Sequence, residues 1–112
     1  MSMTDEELLA RMMASGNGHE VGRLWGGDWQ GTYPSPSEAD LALCSNLAFW
    51  TDKDADRMDR MFRQSQLFRS KWDERRGPRT YGESTIPMAN WRVPGTWTAR
   101  RAPVETGEGV RT

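Results

Sequence analysis

Residues 37–51 read SEADLALCSNLAFWT, and the way this stretch folds decides the architecture. Wound at 3.6 residues per turn, its apolar positions Ala39, Leu41, Leu43, Cys44, Leu47, Ala48, Phe49 and Trp50 cover most of the circumference. A helix with so little polar surface belongs at the centre of a domain, surrounded by others. Ser37 followed by Asp40 has the spacing of a capping box and predicts the helix start there.

Working outward, residues 54–65 (DADRMDRMFRQS) are two-faced, with Ala55, Met58, Met61, Phe62 and Ser65 on an inward stripe and Arg57, Arg60 and Arg63 on the other side. Asp56 with Arg60, and Asp59 with Arg63, stand four residues apart, a spacing worth about 0.3–0.5 kcal/mol per exposed pair. Upstream, Thr4 and Glu7 form a capping box for a helix over 5–14, which the SGNG at 15–18 ends. A short amphipathic turn, HEVGRLW, follows, and then GGDWQGTYPSPS, whose glycines and prolines forbid regular structure. Downstream, Thr80 and Glu83 cap a helix through YGESTIPMANW, with Ile86 and Ala89 or Met88 facing inward. Pro87 there predicts a kink, a shortened helix or a late start. No strand pattern or repeat appears. The expected fold is all-α: a bundle of four to five helices over 1–92, with a disordered tail over 93–112 that lacks periodicity.

The 112 residues suit one domain, and the single Cys44, within an apolar run, behaves as a small hydrophobe in a reducing compartment. No run of roughly 18 apolar residues suggests a membrane span, and the acidic N-terminus MSMTDEELLARMM is unlike a signal peptide, so a cytoplasmic location without membrane contact is expected. Catalytic and metal motifs fail. Asp52, Asp54 and Asp56 alternate as in a calcium loop, but Arg57 and Arg63 occupy its glycine and terminal glutamate places; acids at a helix start instead suit the helix dipole. GRLWGGDW lacks the Lys-Ser/Thr of a phosphate-binding loop. A lone His19 and a lone Cys44 assemble neither a zinc site nor a nucleophile pair. No enzyme activity, cofactor or metal is expected.

Charge is distributed unevenly. The chain carries a net −1, yet residues 1–56 hold ten acids against three bases, while residues 57–79 hold eight bases against Asp59, Asp73 and Glu74. Within FRQSQLFRSKWDERRGPRTYG (62–82), no helical register explains Arg69, Lys71, Arg75, Arg76 and Arg79. Cations beside aromatic rings hold single-stranded nucleic acid, the phosphates meeting charge and the bases stacking. Trp72 and Tyr81 supply rings; alternatively each pins an irregular loop to the bundle.

The order SEADLALC..LAFWT, then a D..RMDRMFRQS helix, KWDERR and TYGESTI, with the RLWGGDW turn, resembles the helix-bundle domain of primase-polymerases from phages, prophages and plasmids over about Leu8 to Ala89. In that family the domain follows an archaeo-eukaryotic-type primase-polymerase domain and precedes, where present, a superfamily 3 helicase. The resemblance implies an accessory bundle that engages template DNA and initiating nucleotides, with the polymerase and helicase domains as partners in cis or in trans. Recurring family positions fall on Ser37, Glu38, Ala39, Asp40, Phe49, Trp50, Asp59, Phe62, Arg63, Ser65, Lys71, Trp72, Asp73, Tyr81 and Gly82. Gln66, where the family often has glycine, and Pro87 depart from the pattern. The expected contacts with single-stranded DNA are Arg63, Arg69, Lys71, Arg75, Arg76 and Arg79 on phosphates, with Trp72 or Tyr81 against a base or supporting the loop. The rival reading is a module that docks on a partner protein without nucleic acid, favoured by the acidic first half and by Trp29, Trp91 and Trp97.

Overall fold

In the computed structural model, which describes residues 3–98, five α-helices follow in order: α1 (Asp5–Met13), α2 (Gly18–Trp25), α3 (Pro36–Trp50), α4 (Ala55–Phe62) and α5 (Tyr81–Arg92). Between α4 and α5 lie a 3-10 turn (Ser70–Asp73) and an antiparallel ribbon of β1 (Arg75–Arg76) and β2 (Arg79–Thr80), pairing Arg75 with Thr80 and Arg76 with Arg79. The ribbon is the one pair of strands among the described residues. Gly77, at φ 73, makes its turn possible, because a side chain is rarely accommodated at that angle.

The central stretch behaves as its composition demands. α3 packs against α2, α4 and α5, and Ala39, Leu43, Cys44, Leu47 and Ala48 are buried along it. Burial pushes the Cys44 thiol up, so it stays protonated and packs as a hydrophobe. The start of the helix differs from the expectation. Ser35, not Ser37, is the N-cap, its hydroxyl accepting from the Glu38 N–H, and Pro36 takes the first helical position, where a missing N–H costs nothing. Ser37 therefore lies inside the first turn, and Asp40 is rotated into the core.

α4 buries Met58, Met61 and Phe62, each worth about 1.5–3 kcal/mol when fully removed from water. Ala55, expected on this stripe, is exposed, because Asp54 caps the helix one residue earlier and turns the first residue out. Nor do the arginines all point to solvent. Asp5 of α1 holds Arg57 at 2.9 Å and Arg60 at 2.6 Å, so Arg57 is half-buried and Arg60 takes this partner rather than an ion pair with Asp56. The two guanidiniums hold the Asp5 carboxyl down to about 2.

α5 starts at the Thr80–Glu83 capping box, both of whose bonds form, and runs through Pro87 to Arg92. Pro87 is exposed, so the Glu83 carbonyl that loses its partner lies on the watery side of the helix. Ile86 and Ala89 face inward and Met88 does not. Beyond the helix, Val93 and Trp97 pack against the core, with the Trp97 ring 5.2 Å from Trp50 and under the Arg11 guanidinium at 5.3 Å. Thr98 donates to Asp52, and Met3, Trp50, Trp97 and Thr98 line one cavity. The remainder of the expected tail, 99–112, lies outside the described residues. No helix among the described residues is long and apolar enough to cross a membrane.

A tight constraint sits between α4 and α5. The Trp72 indole stacks on Phe62 at 3.8 Å and 13°, and the α-carbon of Gly82 approaches its other side so closely that an added Cβ would stand 2.4 Å from Trp72 Cε2. A buried ring wedged between neighbours has nowhere to go. Gly82→Ala is expected to lower the unfolding free energy in urea by about 1–3 kcal/mol, the range for overpacking. Asp5 makes a pH-dependent contribution of the usual carboxylate sign. Its pKa is depressed, so the stabilisation is complete above 3.8 and fades as the pH falls toward about 2. Asp5→Asn should thus destabilise the domain at pH 6, with the difference from wild type shrinking as the pH falls through about 2, as read by thermal melts across that range.

Candidate nucleic-acid interface

The basic stretch of 57–79 separates into an inner set, whose charge is spent within the fold, and an outer set. Arg69 leads the inner set. Its guanidinium grips the Asp40 carboxylate with two bonds, at 3.0 and 2.8 Å, and also donates to the Leu67 carbonyl at 2.9 Å. Asp40 is fully buried, so it needs this partner, and Tyr81 adds a phenol bond at 2.6 Å. Burial first, and that bond second, push the Tyr81 phenol up, so it remains a donor. Arg63 is likewise engaged, donating to Asp59 at 2.8 Å and to both oxygens of Asp73 at 3.0 and 2.6 Å. The Arg63 guanidinium beside Asp73 holds that carboxyl below the usual range.

Trp72 is 2% exposed, with its indole N–H on Asp59 at 2.7 Å. Of the two roles considered for it, supporting the loop is the one this placement fits. Tyr81 is half-buried; its edge meets Trp72, while Lys71 Nζ at 4.5 Å and the Arg76 guanidinium at 5.8 Å lie over its ring. Tyr81 is thus a platform under two cations.

The outer set is Lys71, Arg75, Arg76 and Arg79, carried by the 3-10 turn and the ribbon. Lys71 reaches Ser37 Oγ at 3.1 Å, joining the loop to the first turn of α3. Arg75 donates to the Pro78 carbonyl, Arg76 has Glu74 at a loose 3.7 Å, and Arg79 is exposed without an ion pair among the described residues. The base of the ribbon is closed by the Tyr81 N–H on the Glu74 carbonyl at 2.8 Å, so these cations project from a tied hairpin. Short-range sequence rules could not sort the cluster into these two sets, because the deciding partners are distant: Asp40 lies 29 residues from Arg69. A usable signal was present in Asp40 itself, an acid amid ADLALC where the helix has almost no polar side.

Residues 36–99 match the family described as the NrS-1 polymerase HBD domain, more than half of the chain. The chain belongs to this family. The domain is also 38% identical over 88 residues, 79% of its length, to the DNA primase-polymerase of Nitratiruptor phage NrS-1, of which it spans only 11%. The matched segment of the family covers α3 to α5, and hence Asp40, Arg69, Trp72 and the whole hairpin.

The two sets should respond differently to truncation. Arg69→Ala leaves Asp40 buried without its counter-charge and is expected to cost about 3–5 kcal/mol in urea unfolding. Arg79→Ala should change stability by no more than about 0.5 kcal/mol.

Proposed function

We propose that this domain is an accessory, non-catalytic part of a phage-type primase-polymerase system, working in the cytoplasm, that holds single-stranded template DNA through the face of its hairpin. The carrying observation is that Lys71, Arg75, Arg76 and Arg79 stand together on the 3-10 turn and the tied ribbon, where Glu74, 3.7 Å from Arg76, is the one acid paired with them among the described residues, beside a Tyr81 ring already positioned under cations. A phosphate arriving there meets fixed positive charge without an ion pair of normal length to break. Membership in the family, and likeness to a protein that is itself a DNA primase-polymerase, support the setting. In this reading the same cations also suit the phosphates of an initiating nucleotide. The polymerase and helicase functions are then partners, in cis or in trans.

Arg63 and Arg69 act in this reading by position: they hold the loop so that its outer neighbours face one way. Trp72 does the same from below. The test is fluorescence anisotropy of a labelled single-stranded oligonucleotide at several salt concentrations. Each phosphate neutralised contributes a slope of about −0.7 in log K against log salt, so three or four contacts give roughly −2 to −3. A Lys71, Arg75 and Arg76 triple alanine variant, folded by circular dichroism, is expected to lose most of the binding and of the slope. Absence of wild-type binding at low salt, with and without nucleoside triphosphate, would overturn the proposal.

A further inference from the structure

Trp91 is 86% exposed, the largest apolar group the described chain leaves in water, and Met88 beside it is 53% exposed. Trp91 stands one helical turn after Pro87, on the same face of α5. Pro87 and Ile86 in turn form the apolar floor of a groove of about 320 Å³ between α4 and α5. The rim of that groove is acidic: Asp56, Asp59, Asp73 and Glu83 surround it against the single Arg63. Asp59 and Asp73 share Arg63, whereas Asp56 and Glu83 carry charge without an ion pair among the described residues. An exposed indole continuous with an apolar floor, bordered by net negative charge, is unfavourable for nucleic acid and complementary to a positively charged partner.

We propose that the α4–α5 groove and the Trp91 face form a protein-docking surface for a basic segment of a partner protein, one or two of whose apolar residues sit on Pro87 and Trp91 while its lysines or arginines face Asp56 and Glu83. Tryptophan is among the residues that dominate such interfaces, since it buries a large rigid area at small entropic cost. The surface is distinct from the outer face of the hairpin. The two adjoin, since Asp73 and Thr80 of the turn and ribbon also line the groove. The proposal does not depend on the DNA reading, because none of its residues is an outer cation.

The experiment uses the full 112-residue chain and a fluorescein-labelled peptide of about 12 residues, rich in lysine and arginine and carrying two leucines one helical turn apart. A control peptide has glutamate in place of every basic residue. Wild type is expected to bind the basic peptide and not the control. Trp91→Ala and Asp56→Lys, both exposed and folded by circular dichroism, are each expected to weaken binding about tenfold or more, as for a hot-spot residue, with single-stranded DNA binding unchanged. The proposal is overturned by no binding of the basic peptide to wild type, by equal binding of the control, or by affinity that neither variant alters. It is also overturned if sedimentation shows a wild-type dimer that Trp91→Ala dissociates, since a second copy would then be the occupant.

Discussion

The buried carboxylate of Asp40 is the constraint around which the rest is arranged. A charge removed from water must be met by compensating groups, and among the described residues these come from two later segments, Arg69 in the loop and Tyr81 at the start of α5. Satisfying one side chain of the central helix therefore fixes where the loop leaves α4 and where the last helix begins. Trp72 fills the space thus defined, and its stacking on Phe62 against Gly82 permits only one spacing between α4 and α5. The hairpin is suspended between these two fixed ends, so its orientation is inherited from a bond network in the core.

Much of this was legible in the residues. Two capping boxes, at Thr4 and Thr80, mark helix starts to the residue, and the near-continuous apolar surface of 39–50 identifies the central helix. These features are local, and local rules suffice for them. What escaped is what depends on distant pairing. Spacing favours Asp56 for Arg60, yet Arg60 lies against Asp5, 55 residues away, because the first turn of α1 reaches the Arg57 and Arg60 side chains of α4. Ser37 looks like a cap until Pro36 is given its natural place at the first helical position. The basic loop looked uniformly available for binding, and sorting it required knowing which carboxylates the fold brings close. Trp29, Trp91 and Trp97 look alike in sequence, yet Trp29 and Trp97 pack on the core and Trp91 does not.

The charge pattern acquires a physical sense from this sorting. Acids of the first half are not merely excess: Asp5 and Asp40 consume arginines from the basic stretch, and what remains unconsumed collects on the hairpin. Immediately beside it, Asp56, Asp59, Asp73 and Glu83 make a patch of the opposite sign. Two fields of opposite polarity on so small a body orient it relative to any charged surface. A net charge near zero conceals this polarity.

The corner where Trp97 rests on Trp50 and beneath Arg11 has a topological meaning. Met3 and Thr98, the two ends of the described chain, line the same cavity there, so the polypeptide enters and leaves the bundle at one place. A fold with adjoining ends can be spliced into a loop of a larger protein without spreading that loop apart.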